Sequence, residues 1–301
     1  MSSQPKAAHF SAWQRWTEGP RLNHASLIET LDGGQAFRWA RYPDYLEGRW
    51  SDQVFRIKVA PGSSDLLEYS VPVSPEPTHA LNALKHYFAC AVDFAHHTDC
   101  LPWRSDPVLT TAIQAFPGLR ILRQPFAECL FSFLCSSTKQ IPQIKAIHEI
   151  VATTLGSQLP DGSHRLPTWP QIAAAGEAPL RAAKLGYRAR YIYQTAEYIA
   201  TAGTDWLREV EAMPTELARA ELLRLPGVGR KIADCVLLFG AGRLDAFPID
   251  TWVEKILTRA YQLEGWKLPQ LQQFANAHFG PLSGYAQQYL FAAARAGKIA
   301  S

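Results

Sequence analysis

The sequence predicts an α+β fold in two domains, an antiparallel β domain over residues 1–120 and a mainly α-helical domain over residues 121–301. Residues 54–59 alternate apolar and polar side chains, which is typical of a half-buried antiparallel strand. Beyond about residue 120, apolar residues recur at helical spacing. The 301 residues are also enough for about two domains of ordinary size.

Shorter sequence patterns predict the order of strands, turns and helices in the first domain. A second alternating run, residues 35–39, predicts another strand. Clusters of Gly, Pro, Asp and Ser at residues 32–34, 43–44 and 61–64 predict the turns between strands. Residues 80–88 have the apolar spacing of a helix, so we expect helices to follow the sheet.

The second domain consists almost entirely of helix signals. Residues 128–134 are strongly apolar, and isoleucines continue the pattern at three-residue spacing to residue 150, which predicts one helix ending near Gly156. Residues 214–260 predict a helix, a glycine turn, a second helix, a loop and a third helix. Residues 281–300 predict a final helix rich in aromatic residues and alanine.

Composition excludes several classes of protein. With 47% apolar residues, 19 Gly and 21 Pro, the chain is neither disordered, collagenous nor a coiled coil. It lacks both an apolar stretch of about 20 residues and the apolar core of a signal peptide, so we expect a soluble intracellular protein. A net charge of +3 is too mild to demand a polyanionic partner, so any nucleic-acid role must depend on where the cations lie.

Cysteine and histidine give no sign of a metal centre. The five cysteines are scattered, as expected for reduced thiols rather than a disulfide framework. His86, Cys90, His96, His97 and Cys100 lie close together, but their spacing matches no zinc pattern. We therefore predict neither a metal nor another cofactor.

Residues 225–236 contain the most informative motif. The segment Pro-Gly-Val-Gly joins two predicted helices, and its glycines allow a ligand to approach the backbone closely. The second helix begins with unpaired N–H groups and the positive end of a dipole, which together favour an anion. No Gly-Lys-Ser/Thr follows, so this is not a nucleotide P-loop. The pattern favours a helix–hairpin–helix that holds a DNA phosphate, while a tight helical hairpin without a ligand is the alternative.

Lys231 lies in the first turn of that second helix. The helix dipole and the neighbouring Arg230 both disfavour a positive charge there, so its amine is a candidate nucleophile. Cys235 follows four residues later and so lies on the same helix face.

Asp250 follows Lys231 by 19 residues, at the predicted start of another helix. An aspartate there is commonly a helix cap, and Thr251 with Glu254 forms a capping-box pattern. Beside Lys231 it has a chemical interpretation as well. An electrophilic sugar carbon needs an amine to attack it and an anion to stabilise its developing positive charge.

Five separate blocks of the chain resemble the 8-oxoguanine DNA glycosylase/AP lyase family of the helix–hairpin–helix, Gly/Pro-Asp superfamily. The blocks are residues 33–39 (GGQAFRW), 128–137 (ECLFSFLCSS), 185–191 (LGYRARY), 225–250 (the hairpin and its Phe-Pro-Ile-Asp sequel) and 284–291 (GYAQQYLF). The resemblance covers most of the chain. It implies a TATA-binding-protein-like antiparallel β domain packed on a helical domain, with damaged double-stranded DNA bound where they meet.

The resemblance also implies roles for individual residues. Lys231 would form a Schiff base with the sugar, and Asp250 would stabilise the sugar cation. The base pocket would consist of a carbonyl acceptor, a reader of the base edge and two stacking side chains: Gly34, Gln287, Phe291 and Cys235. The DNA contacts would come from a wedge, a residue facing the orphaned cytosine and backbone amides: Tyr187, Arg188, Gly227, Val228, Gly229 and Ile232.

Two departures from the family pattern concern the neighbourhood of the flipped base. Where the family usually has an Asn-rich run followed by Arg, residues 138–143 read Thr-Lys-Gln-Ile-Pro-Gln, so Thr138 and Gln143 replace groups that bind the opposite cytosine. Pro142 is expected to perturb the following helix start. Trp252 stands where a histidine often follows the aspartate. The resemblance therefore leaves the preferred opposite base undetermined.

The predicted activity, in base excision repair, is removal of an oxidised purine (8-oxoguanine) from duplex DNA, followed by β-elimination at the abasic site. The protein is expected to act as a monomer with no membrane contact. One alternative is a related glycosylase for alkylated or deaminated purines, although most of these use the aspartate without a catalytic lysine. Another is a non-catalytic binder of damaged DNA, which would bind with strong salt dependence and cut nothing.

Overall fold

The computed structural model describes residues 9–73, 79–159, 161–203 and 205–301. The strands are β1 (Gln14–Arg15), β2 (Trp39–Arg41), β3 (Leu46–Trp50), β4 (Gln53–Val59) and β5 (Leu67–Ser70). The helices are α1 (His24–Asp32), α2 (Ala80–Tyr87), α3 (Phe94–Cys100), α4 (Pro107–Ala115), α5 (Phe126–Ser136), α6 (Ile141–Leu155), α7 (Trp169–Ala175), α8 (Glu177–Ala182), α9 (Arg188–Ala202), α10 (Trp206–Ala212), α11 (Thr215–Leu223), α12 (Arg230–Phe239), α13 (Thr251–Arg259), α14 (Leu268–Phe279) and α15 (Ser283–Arg295). Short 3₁₀ turns lie at Pro102–Arg104 and Gly280–Leu282.

The strands form one antiparallel sheet in the order β1-β5-β4-β3-β2, which confirms the predicted antiparallel β domain. Leu46 of β3 pairs with Ile57 of β4, and alternate residues of β4 are directed into the core. The prediction of a strand over residues 35–39 is wrong for its first part, because β2 begins only at Trp39. The side chain of Gln35 is fully buried and bonded to the backbone near residue 120, which draws this segment away from the ladder.

Buried side chains form a smaller cluster around the sheet and a larger one among the helices. The smaller cluster packs one face of the sheet against α1 and α2, with Leu27, Phe55 and Phe88 fully buried. The larger cluster includes side chains of α3 and α4 as well as the later helices. The division of the chain at residue 120 remains a prediction.

The apolar run that predicts one long helix is broken into α5 and α6. The backbone at Thr138 is left-handed, with φ of +52°, and this residue lies between the two helices. Pro142 occupies the first turn of α6, where its missing N–H has no intrahelical acceptor to lose, so it does not perturb the helix start. The break creates a loop, residues 137–140, that borders the cleft described below.

His148 joins α5 to α6 beneath that loop. Its Nδ1 donates to the carbonyl of Ile144 at 2.7 Å, and its Nε2 accepts from the hydroxyl of Ser132 at 2.8 Å. Complete burial lowers the pKa of His148 to about 4. The ring is therefore neutral at physiological pH, as its two hydrogen bonds require.

The predicted helix–turn–helix over residues 214–239 is confirmed by α11, a glycine turn and α12. Gly227 has φ of +78°, and a Cβ there would lie 2.8 Å from Tyr191 on α9. Glycine is therefore required both by the backbone conformation and by close packing on α9.

The described ranges contain no helix long and apolar enough to cross a membrane. Within these same ranges, no three His, Cys, Asp or Glu side chains are grouped as a metal ion would require.

Candidate active site

A cleft of about 730 Å³ opens between the β domain and the helical domain. Its walls come from the segment before β2, the loop between α5 and α6, the start of α12, the start of α13 and one face of α15. The structure brings together in this cleft all six residues predicted for chemistry and base recognition: Gly34, Lys231, Cys235, Asp250, Gln287 and Phe291.

Lys231 is half-buried at the floor of the cleft. Its Nζ donates to the hydroxyl of Ser136 at 3.2 Å and lies 5.3 Å from the ring centroid of Phe133. Among the described residues, Lys231 forms no salt bridge, in contrast to its neighbour Arg230, which pairs with Asp234. A hydroxyl and an aromatic face hold this amine in place while leaving it accessible from the cleft.

Asp250 is both the cap of α13 and a wall of the cleft. Its Oδ1 accepts from the backbone N–H groups of Trp252 at 3.0 Å and Val253 at 2.9 Å. The predicted capping box of Thr251 and Glu254 is wrong, because the cap is Asp250 itself. Both cap bonds use Oδ1, so the cap does not require Oδ2. Capping and catalysis, which the sequence presents as alternatives, are therefore compatible.

Cys235 presents a neutral thiol to the cleft. Burial raises the pKa of Cys235 to about 12, an effect that nearby Asp250 reinforces and Lys231 opposes. At neutral pH this side chain offers a polarisable apolar surface rather than a nucleophile.

Gly34 and Phe291 face each other across a narrow part of the cleft. The φ of Gly34 is +111°, and a Cβ added there would lie 3.7 Å from Phe291 Cε1 and 3.1 Å from Ile141 Cδ1. A larger residue would therefore be strained in its backbone and would narrow the space beside the Phe291 ring.

Gln287 carries an unused acceptor in the same wall. Its side chain is only 5% exposed, and its Oε1 has no hydrogen-bond partner among the described residues. An unpaired buried amide oxygen costs about 1–3 kcal/mol. Because Gln287 also lines the cleft, its unsatisfied amide is suited to form a hydrogen bond with a ligand there.

The hairpin presents backbone donors at the start of α12. The first intrahelical bond runs from the Ala233 N–H to the carbonyl of Gly229 at 3.0 Å, so the preceding amides of the helix have no intrahelical acceptor. Gly227, Gly229 and Ile232 fit the predicted phosphate-binding backbone. Val228 does not, because its N–H donates to the Leu225 carbonyl at 3.1 Å and closes the turn.

A buried ion pair holds the two helices of the motif together. Arg219 of α11 donates from Nε to Oδ1 of Asp234 on α12 at 2.6 Å. Arg230, at the start of α12, lies 3.5 Å from the other oxygen of the same carboxylate. Burial raises the pKa of Asp234, and Arg219 opposes that effect. The hairpin is thus fixed between two anchored helices.

Tyr187 and Arg188 are neighbours in sequence, but Tyr187 is exposed and Arg188 is buried. Tyr187 is 53% exposed and packs edge-on against Tyr191, in agreement with a surface wedge. Arg188 is turned inward, against the prediction that it faces the opposite base. Its guanidinium donates to the Ser137 carbonyl and the Thr138 hydroxyl, and to the Leu185 carbonyl at 3.2 Å. These bonds satisfy hydrogen-bond acceptors in the loop between α5 and α6. Arg188 would have to break them to reach DNA.

Two charged residues of the cleft are absent from the predicted set. Arg295 follows Phe291 by four residues on α15, a spacing that places both on one helix face and that the sequence already contains. Lys139 adds a half-buried cation in the loop between α5 and α6. Residue type alone does not distinguish either from a solvated surface cation.

Comparison with known proteins identifies the family. Residues 21–130 match the N-terminal domain of 8-oxoguanine DNA glycosylase, and residues 132–279 match the HhH-GPD superfamily of base excision DNA repair proteins. The N-glycosylase/DNA lyase OGG1 of Arabidopsis thaliana is 32% identical over 290 residues, covering 91% of this chain and 79% of the plant protein. The chain belongs to the 8-oxoguanine DNA glycosylase/AP lyase family.

Further members of the family agree along most of the chain. The N-glycosylase/DNA lyase of Saccharomyces cerevisiae is 30% identical over 83% of this chain and 73% of the yeast protein. The 8-oxoguanine glycosylase/lyase of Clostridium acetobutylicum, solved with double-stranded DNA containing cytosine opposite 8-oxoguanine, is 28% identical with a TM-score of 0.82. That match covers 96% of this chain and 99% of the clostridial one. Family membership confirms the predicted two-part fold.

Proposed function

We propose that this chain is a bifunctional DNA glycosylase and AP lyase that excises 8-oxoguanine from double-stranded DNA in base excision repair. The observation that carries the proposal is the opening of Lys231, Asp250 and the unpaired amide of Gln287 onto one cleft. An amine and a carboxylate serve chemistry at the sugar. A buried acceptor without a partner serves recognition of the base.

The sugar chemistry follows from the two charged groups. The amine of Lys231 attacks C1′ as the bond from C1′ to the base nitrogen breaks, and the base leaves with the bonding electrons and takes up a proton. The Asp250 carboxylate stabilises the positive charge that develops on the sugar during this step. The amine loses a proton and the sugar ring opens, which leaves a Schiff base between Nζ and C1′.

Strand cleavage uses the same Schiff base. The iminium withdraws electrons from C2′, so a C2′ proton is lost and the C3′–O bond breaks with departure of the 3′ phosphate. Water then hydrolyses the imine and regenerates Lys231. One lysine therefore serves both base removal and β-elimination.

Base recognition is assigned to the opposite wall of the cleft. The lesion must leave the duplex, at a cost of a few kcal/mol, to reach this pocket. The Gly34 carbonyl would accept the N7–H that 8-oxoguanine has and guanine lacks. Gln287 would bind the Watson–Crick edge, while Phe291 and the neutral thiol of Cys235 would enclose the ring. A site built to accept a hydrogen bond rejects an analogue without the donor far more strongly than shape alone does.

The partner is damaged double-stranded DNA, held by the hairpin amides of Gly227, Gly229 and Ile232 and wedged open by Tyr187. The hairpin binds phosphate and carries no sequence information, which suits an enzyme that must scan any sequence. We further propose that the protein acts as a monomer inside the cell, in the cytoplasm at the nucleoid, or in the nucleus if its source is eukaryotic.

Borohydride trapping tests the proposal. A duplex with one 8-oxoguanine opposite cytosine is expected to give a covalent adduct and alkali-independent cleavage with the unaltered protein. Lys231→Gln should give neither product. Lys298→Gln, which removes an exposed lysine at the C-terminal end, serves as the matched control and should retain both.

An adduct of equal yield from Lys231→Gln would refute the proposed lyase mechanism. A duplex panel carrying alkylated or deaminated purines identifies the alternative glycosylases, because excision there without excision of 8-oxoguanine would contradict the substrate. Binding without cleavage on every duplex would show a damaged-DNA binder instead.

A further inference from the structure

A carboxylate and a guanidinium lie directly behind the loop that carries Gly34. Arg295, at the end of α15, donates from Nη1 to Oε1 of Glu29 on α1 at 3.1 Å. The same nitrogen donates to the carbonyl oxygen of Gly33. Glu29 is only 9% exposed, whereas Arg295 reaches the cleft. The pair therefore connects the interior of the β domain to the carbonyl that precedes Gly34.

The loop packs on Glu29 without intervening space. The Gly33 N–H donates to the Glu29 carbonyl at 3.0 Å, and a Cβ on Gly33 would lie 2.3 Å from Glu29 Oε1. Only glycine fits against the carboxylate at this distance. A shift of Glu29 or of Arg295 would therefore move the Gly33 peptide with it.

The other side of Gly34 is held by a second set of side-chain bonds. The Gln35 carbonyl accepts from Gln124 Nε2 at 2.7 Å. The Gln35 side chain donates to the Arg120 carbonyl at 2.8 Å and accepts from the Leu122 N–H at 3.0 Å. The carbonyls before and after that of Gly34 are thus each fixed by a side chain. Gly34, with its φ of +111°, lies between these two fixed carbonyls, so the orientation of its own carbonyl depends on theirs.

Arg295 also contacts α15, the other element that forms the recognition wall of the base pocket. Its guanidinium carbon lies 5.5 Å from the ring centroid of Phe291, one helical turn earlier on α15. One side chain therefore contacts both the loop with the Gly34 acceptor and the helix with Phe291 and Gln287.

We propose that Glu29 and Arg295 form a positioning pair, which directs the Gly34 carbonyl at the N7 position of the flipped purine and so determines how well 8-oxoguanine is recognised. The inference rests on the proposed function. A hydrogen bond weakens steeply when its angle departs from linearity, so a small rotation of the Gly34 peptide removes the contact that distinguishes the lesion. Neither side chain takes part in the sugar chemistry.

The electrostatics of Glu29 agree with this role. Burial raises the pKa of Glu29 to about 7, opposed by Arg295 and reinforced by Asp32 on the same helix. Asp32 is itself bonded to Lys145 of α6 at 2.6 Å. Arg295 favours the ionised form of this buried carboxylate, and the hydrogen bond to Glu29 holds Arg295 beside the Gly33 carbonyl.

The decisive measurement compares two single-turnover activities of one variant. Excision of 8-oxoguanine requires the base pocket, whereas cleavage of a preformed abasic site requires Lys231 and no base. For Arg295→Ala we expect excision to fall roughly tenfold or more, with abasic-site cleavage changed by less than about twofold. Arg295→Lys should recover part of the loss, because an ammonium can still donate to the Gly33 carbonyl.

Arg104→Ala is the matched control, because Arg104 pairs with Asp99 on an exposed surface, and both activities should remain unchanged. Glu29→Gln changes the other member of the pair and should also lower excision selectively. This variant keeps the proposal testable if Arg295→Ala does not fold. Equal loss of both activities in a folded variant, or no loss of excision, would overturn the proposal. Absence of 8-oxoguanine excision by the unaltered protein would instead refute the proposed function.

Discussion

The two walls of the cleft are built from very different parts of the chain. The wall with Lys231 and Asp250 comes from one continuous stretch, in which the glycine turn, α12 and the start of α13 follow one another. The wall with Gly34, Gln287 and Phe291 joins a loop near the amino terminus to the last helix. The first wall depends on local spacing, and the second depends on how distant elements pack.

This difference predicts that sugar chemistry and base recognition can be separated by mutation. Changes in the reacting wall should affect every substrate that contains the sugar. Changes in the recognition wall should affect base excision and leave abasic-site cleavage in place. The preformed abasic site is therefore the reference substrate for every comparison below.

The largest effect is expected for Asp250→Asn. Removing the charge should lower base excision by about 10²–10³-fold, as for loss of other groups that stabilise a transition-state charge. Asparagine caps a helix about as well as aspartate, so the thermal midpoint should stay nearly unchanged. Asp250→Ala removes the cap as well and should cost about 1 kcal/mol of stability. Retained excision in Asp250→Asn would show that the carboxylate serves only as a cap.

The next effect is on the free energy of unfolding of the whole protein and comes from His148. This residue supports the α5–α6 region, which borders both walls. Its pKa is about 4 in the folded protein and about 6.5 in the unfolded chain. The unfolded state therefore takes up a proton first as the pH falls from 6.5 to 4, and about 3 kcal/mol of stability is lost.

Urea unfolding at pH 7 and pH 4.5 measures this loss. His148→Gln lacks the titrating group, so its stability should change less between these pH values than that of the unaltered protein. Equal changes in both would contradict the assignment. Because acid weakens the whole fold, activities of the two walls should be compared near pH 7.

A smaller and selective effect is expected for Gln287→Met. The change removes an unpaired buried oxygen, so stability should stay level or rise by about 1 kcal/mol. Excision should fall about 10- to 100-fold through loss of the base contact. Chemical unfolding and single-turnover excision measure the two effects, with exposed Gln273→Met as the control. Lower stability with unchanged excision would show that Gln287 has only a packing role.

The smallest effect concerns the base opposite the lesion. Thr138 and Gln143 lie where the family usually carries amide and guanidinium groups, so we expect modest discrimination among opposite bases. Gln143→Arg should raise the preference for cytosine several-fold, by roughly the worth of one hydrogen bond to a charged group. Excision rates on duplexes with each of the four opposite bases measure the preference, and an unchanged ranking would show that position 143 does not contact that base.

The sequence predicts the reacting wall on physical grounds. Helix signals, the glycine turn and the spacing from Lys231 to Asp250 are all local, and the structure reproduces each of them. The recognition wall is different. Only family resemblance brings Gly34 together with Gln287 and Phe291, because no local pattern connects opposite ends of a chain.

The errors also have physical causes. The prediction of one helix from residue 128 to residue 156 fails because Leu134 and Ile141 are seven residues apart, almost two helical turns, so the apolar period continues across the break. Arg188 turns inward because the loop at that break needs donors for its carbonyl and hydroxyl. The Glu29–Arg295 pair is invisible in the sequence, since its members meet only after α1 and α15 pack.

The close packing of Gly227 on Tyr191 has a mechanical consequence. Tyr191 also packs against Tyr187, so the glycine turn and this exposed tyrosine are joined through one side chain of α9. In the proposed complex, the phosphate bound by the turn and the point where Tyr187 enters the duplex are therefore linked through Tyr191. We expect the distance between these two points along the double helix to be the same in every complex.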